Sequence, residues 1–280
     1  MVNKKIIYDY ELEKLFTNMI IQTDNINRNS ELFIHDNEVL KIYVDNKKMY
    51  KYNLQVLKEI IKKEKYLRSI KELVLPNSLI IYNNNIVGYS MPYIEGYTLL
   101  EIIDKKLLND NEIKIIFNKI LDLINRLKEL PFNMFIGDLH EKNVIINDEL
   151  NINIIDCDSY VINNKKLIKD REVIIGKYSN IYYNNKELKR INIASDYICL
   201  LSMLLNYVFK GNIDMMNPIE YIKSHAEFNN LSYLVKRLDI FNNFYLTCDD
   251  IDYIFNLKNK IIIDDNYELE NEIKRIRRIK

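Results

Sequence analysis

The feature that most constrains this chain is a pair of short β-branched segments with polar residues at their outer ends. Residues 144–146 and 152–155 are rich in isoleucine and valine, and residues 147–151 between them are mostly polar turn material, so the sequence predicts a β-hairpin. Asn143 precedes the first predicted strand, and Asp156 follows the second. Because the open ends of a hairpin lie side by side, we expect these two side chains to lie close together.

Asp138, five residues before Asn143, completes a set of two carboxylates and one carboxamide. Phosphoryl transfer needs such groups, because an acceptor hydroxyl must be oriented and the charge on the phosphate oxygens must be neutralised. A carboxylate at Asp138 can accept the proton or hydrogen bond of an incoming hydroxyl, while Asn143 and Asp156 offer the oxygen ligands that magnesium prefers. Each residue alone is more simply a turn cap or a strand end; together they predict a metal-dependent phosphoryl-transfer site.

These residues resemble motifs of the protein kinase-like superfamily, in the eukaryotic-like form of bacteria and phages. Residues 138–143 are similar to its catalytic loop, and Asp-Cys-Asp at 156–158 stands where the family has its metal-binding Asp-Phe-Gly. Gly-Asp-Leu-His at 137–140 is also similar to the loop of the aminoglycoside and choline phosphotransferases, which share the fold. The resemblance implies an α+β, two-lobed protein kinase-like fold that uses ATP and Mg²⁺.

A strand before this centre fits the same resemblance. Residues 38–43 look like the strand whose lysine reaches the nucleotide phosphates, with 31–34 as its hairpin partner. A lysine in an apolar strand is usually an edge-strand charge, but the order of motifs along the chain implies a phosphate contact for Lys41. In the family a glutamate on the next helix pairs with this lysine. Here the expected register lacks one, and Glu59 or Glu64, further along that helix, is the candidate.

Residues 86–96 resemble the last strand of the small lobe running into the hinge. In this alignment Met91 is the gatekeeper beside the adenine pocket. The resemblance implies that the carbonyl of Pro92 and the amide of Ile94 bind the adenine, so proline at 92 loses no needed donor.

Several positions in the catalytic segment depart from the protein kinase pattern. A lysine usually stands two residues after the catalytic aspartate, whereas His140 stands here, as in the small-molecule phosphotransferases. Lys142 is a candidate to replace that lysine, and His140 is then either a catalytic group or a loop hydrogen-bonding residue. Asp158 is either a second metal ligand or the cap of the following turn. Gly137 replaces the arginine of kinases switched by activation-loop phosphorylation, so we expect no such switch.

Two further segments depart from the family. Residues 22–30, which would cover the nucleotide, contain no glycine to let backbone amides approach phosphates, although asparagines there tolerate left-handed turns. Residues 159–185 take the place of the activation loop and substrate platform. The family's closing Ala-Pro-Glu is absent, and Glu187 is the nearest candidate for its glutamate.

Residues 194–205 are predicted to form an apolar helix with Asp196 in its first turn. An aspartate there is ordinarily a favourable charge at the positive end of the helix dipole. The resemblance implies a structural role instead, in which Asp196 braces the backbone of the catalytic loop. This feature favours the protein kinases over the small-molecule phosphotransferases.

The domain organisation predicted from the whole chain is one bilobal domain. Residues 1–92 are expected to form a strand-rich N-lobe with one long helix at 50–71, and residues 93–280 a mainly helical C-lobe. With 280 residues, 48% of them hydrophobic, the chain can bury a sizeable core.

Charge and cysteine usage limit the partners and the location. The 40 basic and 40 acidic residues cancel, so the net charge favours neither nucleic acid nor an anionic membrane. The basic residues at 274–280 follow acidic ones and suit a helix terminus better than a binding patch. Three scattered cysteines, no apolar N-terminal segment typical of a signal peptide and no run of membrane-spanning length favour a cytoplasmic location.

Three functions stay open at this point. The first is an ATP- and Mg²⁺-dependent protein kinase acting on protein hydroxyls, with serine or threonine as acceptor. The second is a phosphotransferase with a small-molecule hydroxyl acceptor, which Gly-Asp-Leu-His favours. The third is a pseudokinase, a binding or scaffolding module whose glycine-free segment does not position nucleotide, since a fold does not determine a function.

Overall fold

The predicted mixture of helices and strands is confirmed, and the class is α+β. Five α-helices and three sheets are present in the part of the chain described, and the strand pairs are antiparallel apart from one parallel pair at the edge of the largest sheet. The computed structural model describes residues 3–6, 30–35, 37–43, 47–163, 194–209 and 245–258.

The largest sheet has five strands in the order β1-β4-β5-β3-β2. Their bounds are Asn3–Ile6 (β1), Ser30–His35 (β2), Glu38–Tyr43 (β3), Ser78–Tyr82 (β4) and Asn85–Pro92 (β5). Because β3 lies between two other strands, Lys41 is paired with Leu32 on one side and Tyr89 on the other. Lys41 is therefore an interior lysine and not the edge charge that strand lysines usually are.

Successive residues of β3 point to opposite faces of this sheet. Leu40 and Ile42 pack with Phe33 and Ile80 in a small cluster on one face. Val39 and Tyr43, with Lys41 between them, point to the other face and belong to the main core. The lysine is thereby directed toward the interior of the molecule.

Helix α1 (Lys47–Leu67) contributes Val56, Leu57 and Ile60 to the main core. The sequence predicted this helix at 50–71, and it begins and ends about one turn earlier. Beyond it the chain turns, because segment 72–74 pairs with a strand of the predicted hairpin.

This pairing is made by backbone hydrogen bonds around Ile154. The amide of Val74 donates to the carbonyl of Ile154 at 3.0 Å, and the amide of Ile154 donates to the carbonyl of Glu72 at 2.7 Å. A helix continued to 71 could not place segment 72–74 in this extended pairing, so tertiary contact overrides the helical periodicity.

The predicted hairpin is confirmed and forms two of the three strands of a second sheet. Strands β6 (Tyr97–Thr98), β8 (Val144–Ile146) and β9 (Ile152–Ile154) lie in the order β6-β8-β9. Just before β6, Gly96 has a φ of 144°, and a Cβ there would lie 2.2 Å from the carbonyl oxygen of Ile146. The chain that leaves the large sheet is thus held directly against β8.

Four helices and one short sheet complete the described structure. The helices are α2 (Leu99–Lys105), α3 (Asp110–Lys128), α4 (Ala194–Phe209) and α5 (Cys248–Lys258), and the strands β7 (Met134–Phe135) and β10 (Val161–Ile162) pair with each other. The helix predicted at 194–205 is confirmed as α4, which continues to Phe209. Across the described ranges, we find no helix both long and apolar enough to cross a membrane.

Capping explains where α2 and α3 begin. The Thr98 hydroxyl accepts from the amide of Glu101 while the Glu101 carboxylate accepts from the amide of Thr98, and Asn109 and Glu112 repeat the arrangement for α3. Asp110, the first residue of α3, accepts from the Tyr207 hydroxyl near the end of α4 at 2.5 Å, which ties these two helices together.

Replacing Gly88 with alanine should destabilise the protein by about 1–3 kcal/mol, the usual cost of overpacking a core. A Cβ at Gly88 would lie 2.0 Å from the carbonyl oxygen of Lys41, so β5 and β3 would have to separate. Ser90→Ala on the same strand is the matched control, because its buried hydroxyl has no hydrogen-bond partner in the described structure and its removal should cost little. Urea denaturation of both variants provides the measurement, and equal stability would contradict the close packing.

Candidate active site

A buried lysine contacts two carboxylates that lie 115 and 117 residues later in the chain. The ammonium of Lys41 donates to Oδ1 of Asp156 and, at 2.8 Å, to Oδ1 of Asp158. The exposed fraction of the side chain is 28% for Asp156 and 3% for Asp158. Asp156 is therefore open to solvent on one side, whereas Asp158 is enclosed.

The three charges shift one another's pKa values in different directions. Burial opposes protonation of Lys41, but the charges of Asp156 and Asp158 outweigh it and raise the pKa of Lys41 above its usual range. Burial also raises the pKa of Asp156, to about 6, against the opposing effect of Lys41. Burial acts in the same sense on Asp158, but Lys41 and the hydroxyls of Tyr89 and Tyr43 reverse it and lower the pKa of Asp158. Asp158 is thus the more firmly ionised partner of the lysine.

Tyr89 belongs to this cluster, although its sequence pattern did not indicate it. Its hydroxyl donates to Oδ1 of Asp158 at 2.9 Å, and its side chain is fully buried. The antiparallel register of β3 and β5 puts Tyr89 directly opposite Lys41, and this register is not readable from the sequence pattern of either strand.

The turn that carries both carboxylates is tightly bonded. Asp156 has a left-handed φ of 68° and precedes the 3-10 turn Cys157–Ser159. The carbonyl oxygen of Asp156 accepts from the Ser159 amide at 3.0 Å and from the Ser159 hydroxyl at 2.7 Å. Aspartate tolerates the left-handed conformation better than most residues, so this turn can aim Asp156 and Asp158 at one ammonium.

The hairpin brings the loop residue Asn143 beside Asp156. Val144 lies opposite Ile154 in the β8–β9 pair, and the amide of Ile155 donates to the carbonyl of Asn143 at 3.0 Å. Asn143 and Asp156 thus stand at the adjacent open ends of the two strands, where the sequence predicted them.

Asp138 and Asn143 are in contact within their loop. Nδ2 of Asn143 donates to the Asp138 carbonyl at 3.0 Å and lies 3.5 Å from Oδ2 of the same residue. His140 caps the 3-10 turn Glu141–Asn143, and its Nδ1 accepts from the amide of Lys142 at 3.2 Å. Its Nε2 lies 3.7 Å from Oδ1 of Asp138, which is beyond hydrogen-bond distance. The structure gives His140 a hydrogen-bonding role in the loop, and Lys142 is exposed beside it.

Asp196 holds the backbone immediately before this loop. Its carboxylate accepts from the amide of Ile136 at 2.7 Å and from the amide of Gly137 at 3.1 Å, and it is fully buried at the start of α4. Burial raises the pKa of Asp196 to about 7, although the two backbone hydrogen bonds act in the opposite direction. The contact links α4 to the position of Asp138.

Gly137 has a geometric reason to be glycine. Its φ is 80°, and a Cβ there would lie 2.7 Å from the carbonyl oxygen of Ser159. An arginine at this position would need both that strained conformation and that occupied space.

The predicted adenine-contacting residues lie where β5 ends. Met91 is buried in the main core, Pro92 is the last residue of the strand, and Ile94 lies two residues beyond it, packed against the core. The amide of Tyr93 donates to the carbonyl of Asn37 at 3.0 Å, which ties this segment to the start of β3.

The structure does not bring the helix glutamates together with Lys41 in the way the resemblance implies. Glu59 forms an ion pair with Lys62 at 2.6 Å, and Glu64 forms one with Arg68 at 2.7 Å. The carboxylates that contact the Lys41 ammonium instead come from the turn after β9. The glycine-free segment 22–29, most of 159–185, Glu187 and the basic residues 274–280 lie outside the described residues.

The donor atoms at the hairpin ends suit magnesium bound together with a phosphate ligand. Throughout the described ranges, we find no group of three or more histidine, cysteine, aspartate or glutamate side chains that could hold a metal ion. Magnesium needs fewer protein ligands, because it keeps waters and takes oxygens from phosphates. Asp156 offers a carboxylate, and Asn143, whose Nδ2 is directed to Asp138, offers its amide oxygen. These residues fit the ion.

Comparison with models of known protein families gives no match to this chain, and comparison with curated proteins gives none either. The chemistry of the site must therefore be inferred from the residues that form it.

The stability difference between the wild-type protein and the Asp196→Asn variant should depend on pH. Folded Asp196 keeps its proton up to about pH 7, while the unfolded carboxyl releases it near pH 4. The stabilisation from this group is complete below pH 4 and is lost as the pH rises toward 7, by at most about 1.4 kcal/mol per pH unit. Urea denaturation at pH 4.5, 6.0 and 7.5 measures the difference. A wild-type advantage that grows with pH would mean that the two amides keep Asp196 charged.

Proposed function

We propose that this protein is an ATP- and Mg²⁺-dependent kinase with a two-lobed protein kinase-like fold, divided near residues 92 and 93, that transfers the γ-phosphoryl group to a protein hydroxyl. The observation that carries the proposal is the contact of Lys41 with Asp156. The two residues were assigned to phosphate and metal from separate motifs, and their side chains meet although 115 residues separate them.

The residues divide the work as the chemistry requires. Lys41 binds and neutralises nucleotide phosphate oxygens, and Asp138 orients the acceptor hydroxyl and receives its proton. Asn143 and Asp156 hold magnesium, which, when bound, neutralises charge on the phosphates. Asp196 keeps the loop backbone fixed through the amides of residues 136 and 137.

Two observations bear on the acceptor of the phosphoryl group, and they favour different classes. The Asp196 contact with the loop backbone favours a protein hydroxyl, serine or threonine, since the resemblance implies that brace for protein kinases. His140, which caps the loop turn where protein kinases carry a lysine two residues after the catalytic aspartate, favours a small-molecule hydroxyl. Neither nucleic acid nor membrane is proposed as a partner. The free thiols of Cys157, Cys199 and Cys248 suit a cytoplasmic location.

ATP with magnesium should raise the melting temperature of the wild-type protein, because ligand binding to the folded state stabilises it by about 2.7 kcal/mol at a hundredfold excess over Kd. Lys41→Met should reduce this shift, and Asp156→Asn should abolish the part that requires magnesium. Lys105→Met on α2, an exposed lysine, is the matched control and should leave the shift intact. If the wild-type protein shows no shift, the nucleotide proposal fails and a scaffold without nucleotide becomes the better description.

Asp138→Asn should lower phosphoryl transfer by about 10²–10⁴-fold, the usual contribution of a positioned acid or base, while the ATP-dependent thermal shift persists. Incorporation of label from γ-labelled ATP into generic protein substrates, sugars, aminoglycosides and amino alcohols gives the measurement. Asp148→Asn, in the exposed turn of the hairpin, is the matched control and should retain full activity. Undiminished transfer by Asp138→Asn would remove this residue from the mechanism.

A further inference from the structure

We propose that Asp158 is the positioning residue for Lys41, which it holds in place for the nucleotide phosphates while Asp156 serves the metal. Asp158 thereby performs the task that the resemblance implies for a glutamate on the helix after β3. This inference deepens the proposed function and rests on it, because Lys41 needs this support only where it contacts a nucleotide.

The first reason is the bonding of the Asp158 carboxylate. Its Oδ1 accepts from the Lys41 ammonium at 2.8 Å and from the Tyr89 hydroxyl at 2.9 Å. A carboxylate oxygen has two lone-pair sites, so both sites of this atom are used within the protein. Of the two alternatives left open by the sequence, a second metal ligand would have to use the other oxygen, Oδ2, because Oδ1 is already occupied by Lys41 and Tyr89. The hydrogen bonds seen for the Asp158 carboxylate in the described structure come from the side chains of Lys41 and Tyr89, not from a backbone amide of the kind a turn cap would accept.

The second reason is the difference in burial between the two carboxylates. The Asp156 side chain is 28% exposed and can turn toward a ligand that enters from solvent, whereas the Asp158 side chain is 3% exposed. Once Asp156 binds a cation, its charge is no longer available to Lys41. A buried ammonium without a counter-charge is strongly destabilised, and Asp158 is the carboxylate in contact that can keep Lys41 in place during that exchange.

The third reason is that the helix carboxylates are engaged elsewhere. Glu59 pairs with Lys62 within α1, and Glu64 pairs with Arg68, the residue directly after this helix. Asp158 instead reaches Lys41 from the turn after β9, and this turn packs against α1. The carboxylate that holds Lys41 therefore comes from the turn after β9 and not from α1.

A double-mutant cycle on the nucleotide-free protein tests the pairing. Lys41→Met and Asp158→Asn should each lower the melting temperature, and the double variant should melt no lower than the less stable single variant, because each change removes the same interaction. Additive losses would overturn the pairing. Tyr89→Phe keeps the carboxylate and removes one hydroxyl, so it serves as the milder member of a second cycle if Asp158→Asn does not fold.

ATP titration with and without magnesium tests the division of roles. Asp158→Asn should weaken ATP binding at least about tenfold in the absence of metal, while the further gain in affinity on adding Mg²⁺ stays as in the wild type. Asp156→Asn should show the reverse pattern and lose the magnesium-dependent gain. If Asp158→Asn loses that gain as well, Asp158 is a metal ligand and the proposal is wrong.

The two experiments separate the failure of this inference from failure of the proposed function. A wild-type protein that binds no ATP with or without Mg²⁺ overturns both. A wild-type protein that binds Mg²⁺ and ATP, with Asp158→Asn binding ATP normally, overturns the role of Asp158 alone and leaves the kinase proposal standing.

Discussion

One buried ammonium group determines how the parts of this molecule must be arranged. Lys41 is in the interior of the five-stranded sheet and 8% exposed, so its charge must be compensated by groups from outside the sheet. The turn after β9 supplies two carboxylates. Removing one partner of a buried ion pair typically costs about 3–5 kcal/mol of stability. Separating the sheet from the hairpin would therefore leave these charges without their partners. The geometry of the candidate active site is thus part of what holds the fold together.

Local sequence patterns predicted the elements well wherever a short-range signal existed. The turn residues at 147–151 identified the hairpin, which placed Asn143 and Asp156 together, and the apolar periodicity of α4 located Asp196. Helix α1 was predicted to end too late, because segment 72–74 pairs with β9, and a single-sequence pattern carries no information about that partner. The α+β class is established by the structure, whereas the two-lobed arrangement and the kinase activity remain proposals.

Long-range pairing also explains the site residues that sequence reasoning could not assign. Asp158 was left with two possible roles, since its spacing from Asp156 does not show which of the two side chains faces inward. Their directions depend on the left-handed backbone conformation of Asp156. An aspartate in the sequence does not predict that conformation, because aspartate adopts right-handed and extended conformations as well. Tyr89 was overlooked because an aromatic residue in an apolar strand is ordinarily core. Its role follows only from the strand register that puts it across from Lys41.

The β8–β9 hairpin contacts the chain on both sides of the β4–β5 pair. Ile154 exchanges backbone hydrogen bonds with segment 72–74, and the carbonyl of Ile146 lies against Gly96. The chain thus meets the hairpin shortly before it enters β4 and shortly after it leaves β5, the neighbour of β3. A change that displaced β8 or β9 would therefore alter the position of Lys41 as well as the positions of Asn143 and Asp156.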